Sequence, residues 1–186
     1  DEFHERSVQA DLALALALEV QQLNSDLQLL IMSATLDQHK LALALDAPVL
    51  SSEGRSYPVE ILYQALTAEP IWLQSARLSL QASLKHQGSI LTFLPGQREI
   101  NQARDWLLEH NKDSWLDIYA LSGALTLAEQ QQAIAPSPQG RRKLVLTTNI
   151  AETSLTIEGI EVVVDSGLCR QAVYHPKHGL TRLETV

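Results

Sequence analysis

Residues 143–167 carry the most informative pattern in the chain: two apolar runs separated by polar residues. Residues 143–148 are a short β-branched and apolar run, typical of a buried strand. Residues 149–157 interrupt it with amide, acidic and hydroxyl side chains, and residues 160–164 resume it before Asp165. The pattern predicts a strand, a polar turn and a second strand. Because open α/β sheets bind ligands at the carboxyl ends of their strands, the turn is a candidate site. The alternative is a capped turn without one.

The rest of the hydrophobic pattern predicts further helices and strands. Leu and Ala alternate over residues 12–18, which is strand-like spacing. These residue types favour helix, however, and Ser7 can cap the helix start, so a helix is predicted there. Predicted helices occupy residues 7–24, 40–47, 70–87, the segment after Pro95-Gly96, and 127–134. Predicted strands occupy residues 27–32, 49–50, 59–63, 89–94 and 115–121, and residues 168–183 have the pattern of a β-hairpin.

One stretch has the composition of a linker. Residues 51–58 read SSEGRSYP and are dense in Ser, Gly and Pro. We therefore expect one unit at residues 1–50, a linker at 51–58 and a second unit at 59–186. Strands that alternate with helices predict an α/β fold with mainly parallel sheets flanked by helices.

Composition narrows the possible functions. The chain has 186 residues, 45% of them hydrophobic, and a formal net charge of −8, which argues against a nonspecific basic nucleic-acid binder. The single cysteine, Cys169, excludes an intrachain disulfide and suits a reducing, cytoplasmic location. No apolar run reaches the ~18 residues of a membrane span. The chain begins inside a motif and without Met, so we expect a fragment of a longer parent.

Three short motifs occur in an informative order: DEFH at residues 1–4, SAT at 33–35 and TNIAETSLTIEG at 148–159. They resemble motifs II, III and V of superfamily 2 helicases, in the DEAH/RHA branch, and ILTFLPGQREI at residues 90–100 resembles motif IV of that branch. Phe3 and the flanking residues look most like the bacterial HrpB group. The resemblance covers nearly the whole chain and implies RecA-like lobes: the end of a first lobe and most of a second.

The resemblance implies roles for the first two motifs. Two adjacent acids at a strand end can hold Mg²⁺ through one carboxylate and activate water through the other. By resemblance, Asp1 contacts the Mg²⁺ of bound ATP and Glu2 polarises the attacking water. His4 couples the site to the partner lobe. Ser33, Ala34 and Thr35 link the nucleotide state to lobe movement.

The third motif is assigned two kinds of contact by the same resemblance. Thr148 and Asn149 touch the nucleic-acid backbone, Ser154 faces the γ-phosphate and attacking water, and Thr156 and Glu158 approach the ribose. Short hydroxyl and amide groups contact phosphates and sugars without a large salt dependence. They also explain how an acidic chain can bind a polyanion.

The sequence departs from the family at four points. It contains no G-x-x-x-x-G-K-[ST] phosphate loop and no arginine-rich motif, so we expect both in other segments of the parent and no ATP hydrolysis by these residues alone. Ser122 replaces the usual His of a family segment. Where the branch commonly has an aromatic that stacks on adenine, the chain reads Ile134-Ala135-Pro136, so base selectivity should be weak.

The basic stretch 136–143 is expected to be a solvated turn rather than a phosphate site.

Together these observations predict the parent's activity. It is expected to be an ATP-dependent helicase that uses ATP or another NTP with Mg²⁺ and acts on single-stranded RNA or DNA. The rival hypothesis is a catalytically inactive RecA-like module that binds nucleic acid or protein. A phosphate loop in the upstream coding sequence would favour the enzyme.

Overall fold

A computed structural model describes residues 2–33, 38–52, 57–111, 116–137, 141–151 and 155–186. Asp1, Ala34, Thr35 and Ser154, which the resemblance places in the site, lie outside these ranges. The chain divides into two compact units, Asp1–Leu62 and Tyr63–Val186. No helix within the described ranges has the length and apolar character needed to cross a membrane.

The first unit contains both helices that the sequence predicts for it. A short 3-10 helix at Phe3–Glu5 precedes α1 (Val8–Leu23), and α2 is Gln38–Leu45. The Ser7 hydroxyl accepts a hydrogen bond from the Ala10 N–H at 3.1 Å and so caps α1. Helix propensity therefore prevails over the strand-like alternation of Leu and Ala, and the helix prediction is confirmed.

Three predicted strands, at residues 27–32, 49–50 and 59–63, are wrong: the structure has no strand there. An extended apolar run becomes a strand only when a second segment pairs with its backbone. Residues 27–32 receive one described backbone hydrogen bond from a distant segment: the Phe3 N–H donates to the Met32 carbonyl at 3.1 Å. Residues 59–63 are exposed, with Tyr63 at 94%. An apolar pattern alone did not reveal whether a pairing partner was present.

The second unit is built on a four-stranded sheet in the order β2-β3-β1-β4, and all its pairings are parallel. The prediction of a parallel α/β sheet is confirmed. Its strands are β1 (Ser89–Phe93), β2 (Leu116–Leu121), β3 (Arg142–Thr147) and β4 (Ile160–Asp165).

Helices cover both faces of this sheet. Helices α3 (Ile71–Lys85) and α4 (Gln97–His110) pack on one face, and α5 (Leu127–Ile134) packs on the other. Successive residues of β3 alternate between the two cores: Leu144 and Leu146 face α3 and α4, whereas Val145 faces α5.

An antiparallel hairpin follows the sheet, as the sequence predicts. It consists of β5 (Arg170–His175) and β6 (Leu180–Thr185). Gly179 in its turn has a φ of 63°, a left-handed conformation that favours glycine. Cys169 and Val186 extend the pairing by exchanging two backbone hydrogen bonds of 2.9 Å each.

Candidate functional site

The four parallel strands end at one edge of the sheet, here called the carboxyl edge; the opposite edge is the amino edge. Open α/β sheets bind their ligands at the carboxyl edge. Neutral polar residues follow each strand there: Gln97 after β1, Ser122 after β2, Thr148 and Asn149 after β3, and Ser166 after β4. The sheet therefore gathers hydroxyl and amide groups from four separate parts of the sequence.

Thr148 and Asn149 lie on a turn whose backbone is fixed. A 3-10 turn at Asn149–Ala151 follows β3, and the Ala151 N–H donates to the Thr148 carbonyl at 3.3 Å. Ile150 and Ala151 pack into the core on the α5 side, which leaves Asn149 exposed and Thr148 half-buried. The turn thus presents a hydroxyl and an amide at the carboxyl edge.

A second polar group at this edge was missed by sequence reasoning. The Ser122 hydroxyl donates to the Gln97 side-chain oxygen, and the Gln97 amide nitrogen donates to the Asn101 side-chain oxygen at 3.0 Å. Gln97 belongs to the ILTFLPGQREI string, so its position in that motif was the available signal. Ser122, which replaces the family's His, is 4% exposed and orients Gln97.

Two charged groups at the carboxyl edge have partners among the described residues. The Asp165 carboxylate accepts a hydrogen bond from the Gly167 N–H at 2.8 Å. Arg170 forms an ion pair with Glu99 at 3.4 Å, and its guanidinium lies 2.9 Å from where a Cβ on Gly96 would be. A side chain at Gly96 would therefore collide with Arg170.

The segment between β3 and β4 is a crossover rather than the polar turn between two strands that the sequence predicted. The two strands are parallel, and β1 lies between them. The chain must therefore return along the sheet before β4 can begin. Thr148 and Asn149 lie at the carboxyl edge, whereas Thr156 and Glu158 precede the amino end of β4. A six-residue strand spans ~20 Å. The structure does not bring the two groups together; it places them at opposite edges.

Residues 155–158 alternate between buried and exposed positions. Leu155 and Ile157 are half-buried and pack on the apolar cluster beneath α5. Thr156 and Glu158 are exposed. Both polar residues of this segment are therefore accessible to a ligand.

Within the basic stretch 136–143, Arg141 is exposed, whereas Arg142 is half-buried and Lys143 is buried in β3; residues 138–140 lie outside the described ranges. Lys143 is 2% exposed, and its ammonium donates to the carbonyls of Ala133 at 2.8 Å, Ile134 at 3.1 Å and Ala135. Burial lowers the pKa of Lys143, and the negative charge of Glu158 opposes that shift.

Arg142 likewise donates hydrogen bonds to backbone carbonyls, at and just beyond the carboxyl end of α3. Its guanidinium donates to the carbonyls of Ser83 at 2.9 Å, His86 at 2.6 Å and Gly88 at 3.2 Å. Arg141 forms an ion pair with Asp117 at 2.9 Å. Cations at the carboxyl end of a helix stabilise its unpaired carbonyls, which explains both arrangements.

Among the described residues of the first unit, Glu2 and His4 lie close to Ser33. The Phe3–Met32 backbone bond holds residues 2–4 beside Ser33. Glu2 and His4 lie 3.4 Å apart, and Glu2 has a left-handed backbone with a φ of 53°. His4 Nδ1 and Ser33 Oγ are buried without a hydrogen-bond partner within the described ranges. Buried polar atoms are usually paired, so each of these two atoms is open to a further hydrogen-bond partner.

Glu2 is the described carboxylate of the predicted metal pair. Mg²⁺ commonly takes one or two protein carboxylates and completes its shell with water and phosphate oxygens. A half-buried glutamate beside the buried Phe3 fits that requirement. Among the described residues, no group of three or more His, Cys, Asp and Glu side chains is arranged to hold a metal ion.

Known proteins resemble the chain in sequence and structure. It is 53% identical over 188 residues to the ATP-dependent RNA helicase HrpB of Escherichia coli strain K12, which covers 100% of the chain and 23% of that protein. It is 40% identical to the pre-mRNA-splicing factor ATP-dependent RNA helicase prp22 of Schizosaccharomyces pombe, over 98% of the chain and 16% of that protein. The chain thus spans less than a quarter of the length of each relative.

Solved structures give the same result. Two crystal structures of E. coli HrpB, described as a DExH-box NTPase and as a DEAH/RHA helicase, match all of the chain with TM-scores of 0.85 and 0.89. The matched regions make up 23% and 24% of the two HrpB chains and are 53% identical in sequence to this chain. The predicted RecA-like fold and the resemblance to the DEAH/RHA branch are confirmed.

The sequence profile of the family described as "Helicase conserved C-terminal domain" matches residues 73–180. That range lies within the unit that contains the parallel sheet, Tyr63–Val186, and it covers more than half of the 186 residues. The chain therefore belongs to the helicase conserved C-terminal domain family.

Proposed function

We propose that the whole protein is an ATP-dependent helicase of the DEAH/RHA branch, acting on single-stranded RNA or DNA in the cytoplasm. The observation that carries the proposal is the 53% identity to an ATP-dependent RNA helicase along the entire chain. In this proposal residues 1–50 are the carboxyl part of a first, ATP-binding lobe. Residues 51–58 are a linker and residues 59–186 belong to a second lobe. Other segments of the parent supply the phosphate loop and arginine motif.

The nucleic-acid strand binds along the carboxyl edge in this proposal. Thr148 and Asn149 stand on a fixed turn there and contact the phosphate backbone. Neutral donors suit a chain whose net charge is −8, because a polyanion is then held by hydrogen bonds rather than by counterion release.

The family resemblance assigns several residues to the nucleotide in this proposal. Thr156 and Glu158 are exposed side by side and approach the ribose, and Ser154 faces the γ-phosphate and attacking water. Asp1 and Glu2 hold Mg²⁺, which neutralises phosphate charge when bound, and Glu2 polarises the water. ATP and other NTPs bind comparably, because Ala135 is exposed and offers no ring for a base to stack on.

Nucleotide state is transmitted through the first unit. His4 and the Ser33-Ala34-Thr35 segment are assigned this role. The unpartnered atoms His4 Nδ1 and Ser33 Oγ support it, since each can gain a hydrogen bond when the nucleotide or the partner lobe arrives.

The test is nucleotide turnover by the full-length protein with and without single-stranded RNA. Glu2→Gln should reduce turnover by about 10²–10⁴-fold, because a positioned general base is lost, yet leave nucleotide binding intact. Glu5→Gln is the matched control, since Glu5 is an exposed glutamate of the adjoining 3-10 helix. A full-length protein that binds RNA but turns over no nucleotide would establish the rival, an inactive interaction module.

A further inference from the structure

Two adjacent basic residues at the start of β3 perform matched tasks on opposite faces of the sheet. Arg142 reaches three carbonyls at the carboxyl end of α3. Lys143 reaches three at the carboxyl end of α5. Neighbouring residues of a strand point to opposite faces, so Arg142 binds the helix end on one face of the sheet and Lys143 binds the helix end on the other.

Only the Lys143 face carries the candidate nucleotide residues. Ile134 at the end of α5, Tyr119 of β2, and Leu155 and Ile157 all pack on the same buried cluster, which includes Ala133. The Lys143 ammonium lies above the Tyr119 ring, 5.9 Å from its centre. The last turn of α5 and the segment that bears Thr156 and Glu158 thus share one core, with a buried cation within it.

The charge on Lys143 also acts on the candidate site. Glu158 is near enough to favour the protonated form of Lys143. The two opposite charges attract each other. Arg142 faces α3, and its described hydrogen bonds go to the carbonyls of Ser83, His86 and Gly88.

We propose that Lys143 is a positioning residue of the nucleotide site: by tying down the last turn of α5, it holds Glu158 where the carboxylate meets the ribose. The inference rests on the proposed function, because the ribose contact is part of it. Lys143 itself does not touch the nucleotide. It acts through the packed segment 155–158, so its loss should weaken ribose recognition selectively.

The test compares Lys143→Met with Arg142→Met in the full-length protein. Both variants lose a three-carbonyl cap, but only the first should alter ribose recognition. KM is measured for ATP and for 2′,3′-dideoxy-ATP, which lacks the ribose hydroxyls. Lys143→Met should raise the KM for ATP about tenfold and bring the ratio of the two KM values close to one, since binding common to ground and transition states is lost. Arg142→Met should keep the wild-type ratio.

The outcomes separate this inference from the proposed function. No turnover, or no preference for ATP over the dideoxy analogue in the wild type, would refute the ribose contact itself. A wild-type preference that Lys143→Met retains would overturn the inference alone, as would an equal loss of preference in Arg142→Met. Should Lys143→Met fail to fold, Lys143→Gln keeps two N–H donors and is judged by the same ratio.

Discussion

The two edges of the parallel sheet use polar groups in opposite ways. At the amino edge, the cationic side chains of Arg142 and Lys143 are directed inward onto helix carbonyls. At the carboxyl edge, neutral groups such as Asn149 are directed outward from a fixed turn. Arg142 and Lys143, from the basic stretch that could have been a phosphate site, therefore stabilise the ends of helices instead. The turn after β3 has no positive charge, and in the proposed function it is the surface that meets the nucleic acid.

The direction of the helices explains this difference. Helices α3 and α4 end shortly before β1 and β2 begin, so their unpaired carbonyls collect at the amino edge. Helices α4 and α5 begin shortly after β1 and β2 end, which brings N–H groups to the carboxyl edge. The negative helix ends attract cations, and the positive ends favour an anionic ligand. Each edge thus has the charge preference that its helix ends create.

The largest expected effect is on stability at the amino edge. Lys143→Met should lower the free energy of unfolding by about 3 kcal/mol, because three carbonyls lose a buried charged donor. Urea unfolding of the protein measures the change. Lys177→Met removes an exposed lysine and should change stability by less than about 0.5 kcal/mol. Equal effects of the two substitutions would show that the buried cap contributes nothing.

A smaller effect is expected at the carboxyl edge, on binding rather than on stability. In the full-length protein, Thr148→Ala and Asn149→Ala should each weaken RNA affinity by about tenfold, roughly one lost hydrogen bond, and leave ATP affinity unchanged. Gln81→Ala removes an exposed amide from α3 and serves as the control. Fluorescence anisotropy with labelled single-stranded RNA measures the affinity.

Ser154→Ala provides the complementary test, because Ser154 is predicted to contact the nucleotide, whereas Thr148 is predicted to contact RNA. It should slow nucleotide hydrolysis while RNA still binds. If Thr148→Ala and Ser154→Ala lower the melting temperature alike and neither separates the two ligands, the segment has only a structural role.

Salt should scarcely change the effect of the carboxyl-edge substitutions. The ratio of wild-type to Asn149→Ala RNA affinity is expected to stay constant within about twofold between roughly 50 and 200 mM salt, because an amide contact releases no counterion. Titrations at several salt concentrations measure it. A ratio that falls steeply with salt would assign the contact to a cation instead.

The smallest expected effect is the pH dependence that Lys143 contributes. Burial lowers its pKa below 10.5 in the folded state, so the unfolded chain binds more protons between the folded value and 10.5. The contribution of this group to stability therefore rises with pH across that window. Wild-type stability minus that of Lys143→Met should increase toward pH 10.5. A difference that falls with pH would show that the folded state raises this pKa.

Much of the second unit could be predicted because its signals are local. The apolar runs that form β1 and β3, the helix stop near His86 and the hairpin turn at Gly179 all depend on neighbouring residues. The motif strings likewise placed Thr148 and Asn149 after a strand, and the structure has them there. Residue type and period decide such features before the chain folds.

What remained undecided in the sequence depends on partners distant along the chain. Residues 27–32 and 59–63 have strand composition, but a strand requires a paired backbone, and pattern does not reveal one. The sequence does not show that the Lys143 ammonium is buried; that follows only from the pairing of β3 on both sides and from the end of α5 close to it. The strand order, with β1 between β3 and β4, turned a predicted loop into a crossover. Sequence thus determined the elements and the chemistry at their ends, and tertiary structure decided which of those groups face a ligand and which are buried.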